Sequence, residues 1–351
     1  MRRDAETPSI SSTTTGSDSA KIRIQAPVTT VAPRPGPFDT PPREGIQRVR
    51  PYELFLAHMF SSRDPGDFPF RITVETTNLC NLRCPICPRE DSNRGYGYVD
   101  FDFFADIAQQ AAGRESVFYP QGFGEPFLHP RFPEMLAFLN KTGVRCTDLI
   151  TNATYLDEKN CHAIIDASTT ILTVSLDGAD PEIYERVRPN ASYDEVVRNI
   201  LTLLRLREER RAEFPILVLS VVGTPEVQAT MPAFREFWEP RLRDTDEIFV
   251  CSPVTWAGAL GISGREGAKG GEDLASRPPC RMLYKTLQVY YDGRTTPCCY
   301  DHACALEVGN AKEESIEDIW KGERLGRLRA LHEAGRSGEI PLCRDCPDHM
   351  P

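Results

Sequence analysis

Six short apolar runs, at 71–77, 116–121, 145–150, 171–176, 216–222 and 247–251, alternate with longer amphipathic segments, and this alternation leaves few folds open to the chain. Strand-length runs separated by helix-length segments predict a parallel sheet. Its crossovers are right-handed, because a twisted strand feeding a right-handed helix packs back onto its sheet only that way. The helical segments carry their own punctuation. Ser192-Tyr-Asp-Glu195 has the form of a capping box, and Tyr193, Val196, Val197, Ile200 and Leu204 follow at the spacing of one buried face. Pro133 suits a first turn, and Gly143 a helix end.

Around this alternating region the composition changes. Residues 1–45 are rich in Ser, Thr and Pro and predict a disordered tail, since they bury too little apolar surface to offset ordering entropy. Residues 50–60 suit a short helix. The Gly-rich charged stretch 264–279 reads as a linker between a region at 46–263 and a small module at 280–351. In the module, Leu287-Gln-Val-Tyr-Tyr291 followed by Asp292-Gly293 predicts a hairpin with a tight turn. Ser315-Ile-Glu-Asp318 then caps a helix expected to run through Trp320 and Leu328.

The chain has 12 cysteines. Cys80, Cys84 and Cys87 follow the first apolar run in Asn78-Leu-Cys-Asn-Leu-Arg-Cys-Pro-Ile-Cys-Pro88. A closed [4Fe–4S] site takes four thiolates, so three leave one iron open to a chelating ligand. Zinc, the ordinary alternative, favours C-x2-C pairs and four ligands, which this spacing fits poorly. A second set, Cys280, Cys298, Cys343 and Cys346, punctuates the module. It suits a fully ligated cluster or a four-cysteine zinc ribbon. Cys299 competes with Cys298 for one corner, because adjacent thiols do not easily reach the same cluster. Cys146 and Cys161 are expected to act as small apolar fillers. No apolar segment follows Met1-Arg-Arg-Asp-Ala-Glu6 and no run reaches bilayer length, so a cytoplasmic location is expected, with thiols as metal ligands instead of disulfides.

The first triplet and its place after a strand resemble the signature of the radical S-adenosylmethionine (SAM) enzymes. The resemblance implies an α/β fold, a partial (β/α)6 barrel, whose open cluster iron binds the amino and carboxylate groups of SAM. It also implies reductive cleavage of SAM to a 5′-deoxyadenosyl radical. Gly293-x4-Cys298 and Gly309-Asn310…Ile316-Glu-Asp-Ile-Trp320 make the module similar to a twitch-type, truncated SPASM domain. That resemblance implies one auxiliary [4Fe–4S] cluster on Cys280, Cys298, Cys343 and Cys346. The implied cofactors are therefore SAM, a SAM-binding [4Fe–4S] cluster on three cysteines and an auxiliary one on four. The implied electron donor is a flavodoxin or ferredoxin.

Gly122-Phe-Gly-Glu-Pro126 resembles the GGEP motif of that family, with Phe123 at its first glycine. The likeness places Gly124 in close approach to SAM and Glu125 near its amino group. Ser175, in Val174-Ser-Leu-Asp-Gly178, resembles a contact to the SAM ribose or carboxylate, and Arg188 an arginine that pairs with the carboxylate. Asn152 ends the third run on the same rim. Each also reads as an ordinary solvated loop residue. Tyr119, Gln121 and Trp256 are candidates to line a substrate cavity.

A net charge of −10 argues against a nucleic-acid-coating protein, and a small-molecule substrate away from membranes is expected. By likeness to the aminocyclitol dehydrogenase of butirosin biosynthesis, the expected reaction is oxidation of a sugar or aminocyclitol carbinol in antibiotic biosynthesis. The alternatives are peptide crosslinking by a maturase and epimerisation with Cys251 as hydrogen donor, since Cys251 ends the sixth run. A non-catalytic iron–sulfur or zinc scaffold is the non-enzyme reading.

Overall fold

The computed structural model describes residues 64–144, 146–261, 276–344 and 346–350. The tail, the expected helix at 50–60 and most of the Gly-rich linker lie outside the described residues.

The six apolar runs form six strands, β1 (Arg71–Val74), β2 (Val117–Tyr119), β3 (Cys146–Thr151), β4 (Ile171–Ser175), β5 (Ile216–Val222) and β6 (Glu247–Cys251). All pair in parallel with their sequence neighbours, as a partial barrel requires. The first two strands are shorter than their apolar runs. Glu75, Thr76 and Thr77 turn away into the loop after β1, and Gln121 does so after β2.

Helices cover one face of the sheet. Ile72, Val74, Phe118, Leu149, Leu172, Val174, Leu217, Leu219 and Val221 join helix residues such as Phe104, Leu136, Ile164, Ile200 and Phe234 in one core. Fully burying a side chain of this size contributes about 1.5–3 kcal/mol. The other face carries Thr73, Tyr119, Asp148, Thr173, Ser175 and Ser220 among apolar residues such as Ile171 and Val218.

The caps follow the sequence with two exceptions. Gly143 ends the helix Phe132–Thr142 in the left-handed region, and Ser315 accepts from Asp318 N. Ser192, however, makes no side-chain cap. The Tyr193 amide that opens the helix α1 (Tyr193–Glu209) donates instead to Glu185 Oε1 at 3.1 Å, so an acid from the preceding helix takes the capping role. The helix expected through Trp320 and Leu328 is also two helices, Ile316–Lys321 and Glu323–Glu333. Gly322 between them is extended at ψ 154°, which interrupts the ladder.

The module's hairpin is part of the same sheet. β7 (Thr286–Val289) lies parallel along the free edge of β1, and β8 (Arg294–Thr296) and β9 (Gly309–Asn310) continue antiparallel. The turn between β7 and β8 needs Gly293, whose φ is +99°. The sheet thus has nine strands in the order β6-β5-β4-β3-β2-β1-β7-β8-β9.

One buried ion pair pins α1 to the lower edge of β5 and β6. Arg207 donates to both carboxylate oxygens of Asp246 at 2.7 and 2.6 Å, and Asp246 also accepts from Leu217 N. Asp246→Ala leaves a buried guanidinium unpaired and is expected to cost about 3–5 kcal/mol. The exposed pair Arg186–Glu226 should cost no more than about 1 kcal/mol when broken by Glu226→Ala. Denaturant melts of the two variants measure the difference, and equal losses would contradict this account.

Candidate functional site

Beyond β1 the chain turns into the loop that carries Cys80, Cys84 and Cys87. Thr77 and Asn78 fix its start. Thr77 Oγ1 donates to Gly97 O at 2.7 Å and accepts from Leu79 N, while Asn78 bonds Gly95 O and Gly97 N through its two amide atoms. Arg89 closes the loop by donating to Leu82 O at 3.1 Å. Burial pushes the Cys80 thiol up to about 11, and Cys84 and Cys87 upward as well. Such thiols stay protonated until a metal displaces the proton, so loading is coupled to proton release. Among the described residues no three or more His, Cys, Asp or Glu side chains converge as a single-ion site. Soft thiols are the ligands that iron–sulfur clusters take, so the donor type of both sets suits that group.

The segment after β2 packs directly on this loop. Glu125 N donates to Leu79 O at 2.8 Å. A Cβ on Gly124 would lie 2.4 Å from the carbonyl oxygens of both Leu79 and Thr77, so only glycine allows the approach. Phe123, where the motif has glycine, packs its ring against Trp256 and His302 at 5.6 and 6.4 Å. Glu125 is 2% exposed, and its carboxylate accepts from Thr151 Oγ1 at 2.8 Å and Asn152 N at 2.9 Å. Burial raises it to about 7, and those hydrogen bonds offset only part of that cost. The carboxylate thus holds the end of β3. Asn152, so placed, donates to Asn81 Oδ1 at 3.1 Å and sits 3.8 Å from Cys80 Sγ.

Arg188 Nε donates to the buried Asp177 at 2.7 Å, and Asp177 also accepts from Val222 N. Desolvation works against the Arg188 charge, but the Asp177 carboxylate outweighs it and holds the guanidinium protonated. Ser175 ends β4 opposite Ser220 of β5 and is partly accessible. Cys251 ends β6 opposite Val222, its thiol 3.5 Å from Val221 O. Asn152 and Arg188 are therefore brought to the cysteine loop, with Glu125 supporting the first. Ser175 and Cys251 lie further round the same carboxyl rim, where ligands collect in barrels.

The second constellation gathers around Cys280. Burial pushes Cys343 to about 12 and Cys346 to about 11, and the nearness of Cys280, itself raised by burial, adds to both. Cys298 and Cys299 are raised by burial too, and each also senses Cys280, so the fold brings both adjacent thiols to the set. Arg277 reaches the Cys343 and Cys346 carbonyls at 3.4 Å. Cys161 is in the helix-side core as expected, whereas Cys146 packs on the inner face near Val117, Tyr119 and Met282.

Sequence reasoning missed what joins the two sets. Glu75, just past β1, takes both terminal nitrogens of Arg94 at 2.7 and 2.8 Å, with side chains 0% and 1% exposed. Arg94 Nε donates to His302 O in the module at 2.9 Å, and its guanidinium lies 4.0 Å from the Tyr290 ring centroid. On the other side, Asp348 accepts from Thr255 N, Thr255 Oγ1 and Ala257 N, and Trp256 Nε1 donates to Ile86 O in the cysteine loop at 2.8 Å. The available signal was a carboxylate inside an apolar run, Ile72-Thr-Val-Glu75, a position where an acid needs a partner.

Residues 74–232 match the family model of the Radical SAM superfamily, and residues 280–347 that of SPASM, an iron-sulfur cluster-binding domain. A tungsten-containing aldehyde ferredoxin oxidoreductase cofactor-modifying protein of Pyrococcus furiosus is 24% identical over 318 residues, covering 78% of this chain and 86% of its own. Among solved structures, SuiB of Streptococcus suis bound to S-adenosylmethionine aligns with a TM-score of 0.59 at 16% identity, over 87% of this chain and 79% of its own. BtrN in complex with AdoMet and 2-DOIA aligns at 0.53 and 16%, over 79% of this chain and 92% of its own.

Glu75→Gln leaves Arg94 buried against a neutral partner and should destabilise the protein by about 3–5 kcal/mol. It should also lower iron retention at both cysteine sets, because the pair touches the loop and the module. Glu75→Gln/Arg94→Gln should recover part of the loss. Thermal melts with iron quantification test this, and undiminished iron in the single variant would refute the joint role.

Proposed function

As this chain belongs to the radical SAM enzymes that carry a C-terminal SPASM iron–sulfur domain, we propose that it oxidises a hydroxyl-bearing carbon of a sugar or aminocyclitol in natural-product biosynthesis. When bound, SAM and its [4Fe–4S] cluster supply the hydrogen-abstracting radical. In this reading Cys80, Cys84 and Cys87 are the residues that would hold the SAM-binding cluster. Arg188, whose Nε is engaged by Asp177, takes the SAM carboxylate through its terminal nitrogens. Asn152, placed by Glu125, steadies Cys80 and the loop. Gly124 lets that loop and the segment after β2 close against each other, which keeps water out.

The observation that carries the oxidation reading is the second set of thiols. Cys280, Cys343 and Cys346, with Cys298 or Cys299, would provide four ligands, which would leave no open iron for substrate. A fully ligated cluster suits electron transfer. Carbinol oxidation removes one hydrogen atom, one proton and one electron from the substrate, and a cluster held by these thiols would supply the acceptor for that electron. The set stands on the same sheet as the SAM site, tied to it through Asp348, Trp256 and Arg94. The fold shared with BtrN, whose structure holds AdoMet and 2-DOIA, supports the substrate class by analogy alone. A flavodoxin or ferredoxin supplies the priming electron.

Anaerobically reconstituted protein should hold about eight irons. Cys80→Ala/Cys84→Ala/Cys87→Ala should keep about four and lose SAM cleavage, and retention of both clusters would sink the ligand assignment. Cys343→Ala/Cys346→Ala should still cleave SAM while forming no oxidised product. In deuterium oxide an oxidised product gains no deuterium at a retained C–H centre, whereas epimerisation through Cys251 would place it at the inverted carbon.

The Glu125 carboxyl gives a pH-dependent check. Its folded value of about 7 lies above the ordinary carboxylate value, so the folded state favours the protonated form and loses stability as pH rises from about 4.5 to about 7. Glu125→Gln has no such titration, so its stability relative to wild type should rise over that window. A flat difference would show that the carboxyl titrates normally.

A further inference from the structure

Polar atoms are left over on the inner face of the sheet. Tyr119 of β2 and Gln288 of β7 both stand opposite Thr73 of β1. Their strand neighbours Phe118, Leu287 and Val289 fill the helix-side core with Ile72 and Val74, so Thr73, Tyr119 and Gln288 share the other face. Gln121, two residues past Tyr119, is 5% exposed and Gln288 is 4% exposed. Among the described residues, Gln121 Oε1 and Gln288 Nε2 have no hydrogen-bond partner, and neither has Arg71 Nε at the start of β1. The Arg71 guanidinium lies 4.0 Å from the Tyr119 ring centroid. Asp148, buried on β3, accepts from Thr173 Oγ1 at 3.0 Å and from the Tyr119 hydroxyl.

Buried polar atoms without partners are rare because each forfeits its hydration. Here an unmatched acceptor and two unmatched donors come from adjoining segments, Arg71 and Gln288 on the paired strands β1 and β7 and Gln121 just past β2. A hydroxyl is the smallest group that both donates and accepts. Ring hydroxyls can donate to Gln121 Oε1 and to Asp148, and accept from Gln288 Nε2 and Arg71 Nε. An apolar ligand would leave these atoms unsatisfied, and an ammonium group set at Arg71 would meet like charge.

We propose that Gln121 and Gln288, with Arg71 and Asp148 beside them, are the specificity-determining contacts for a polyhydroxylated ring in the barrel interior. The assignment rests on the oxidation reading and narrows its substrate to one that presents hydroxyls, not amines, to Arg71.

Anaerobic calorimetry on cluster-loaded, SAM-bound protein reads recognition without turnover, using myo-inositol, scyllo-inosamine and glucose as probes and a hydroxyl-free tetrapeptide as control. At least one polyol should bind, and Gln121→Leu and Gln288→Leu should each weaken it about tenfold, with iron content and SAM affinity unchanged. Leucine has similar bulk and needs no partner, so both ligand-free variants should melt at or above the wild-type temperature. A merely structural glutamine would instead melt lower. Binding of no polyol, preference for the tetrapeptide, undiminished affinity in both variants, or a lower melting temperature in both would each overturn the assignment. If a polyol binds and the variants weaken it, yet wild type forms no oxidised product, the recognition site stands and the oxidation reading fails.

Discussion

The buried pair Glu75–Arg94 is the constraint on which the rest of the site depends. Neither charge can stay in so dry a place alone, so wherever Glu75 goes, Arg94 must follow. Glu75 is fixed by its position just past β1. Arg94 is therefore drawn inward, and the chain between them, with Cys80, Cys84 and Cys87, is forced to close as a loop over the strand ends. Once there, Arg94 presents its third nitrogen to His302 O, which docks the module on the same point. Gly122 completes the arrangement, since a Cβ there would strike the Glu75 side chain at 2.5 Å.

A second consequence is the division of the sheet into two unlike faces. The helix side is mostly apolar and buries most of the core. The inner side keeps Thr73, Tyr119, Asp148 and Gln288, which contribute little to holding the fold and in places weaken it. Residues that lower stability without a structural return are expected where a protein binds something. The same logic applies to Glu125, a carboxyl held in a setting that disfavours its charge yet fastened to Thr151 and Asn152. Its hydrogen bonds fix the loop end that faces Cys80.

The two cysteine sets are joined twice across the barrel opening. Asp348, two residues past Cys346, gathers the amides after β6, and Trp256 from that segment caps the Ile86 carbonyl beside Cys87. Phe123, Trp256 and Tyr300 pack in series beside this joint. A continuous sheet through β1 and β7 gives the joint a stiff frame.

Much was legible in the sequence. The six runs became six parallel strands, because strand-length apolar segments separated by amphipathic helices have only that way to bury both. The two thiol constellations were legible because soft ligands at fixed spacing carry their chemistry in the residues themselves. Gly143, Ser315 and Gly293 did as their backbone preferences dictate. What the sequence left undecided are the long-range pairings. Ser192 lost its cap to Glu185, which lies seven residues upstream in another helix. The pairing of β7 with β1, the Tyr291–Glu75 contact beside it and the Glu75–Arg94 and Asp348–Thr255 contacts join segments up to 216 residues apart. Local preference has no bearing on such contacts. Only the tertiary structure decides them, because the cost of burying a charge or an amide is set by what the rest of the chain brings to that place.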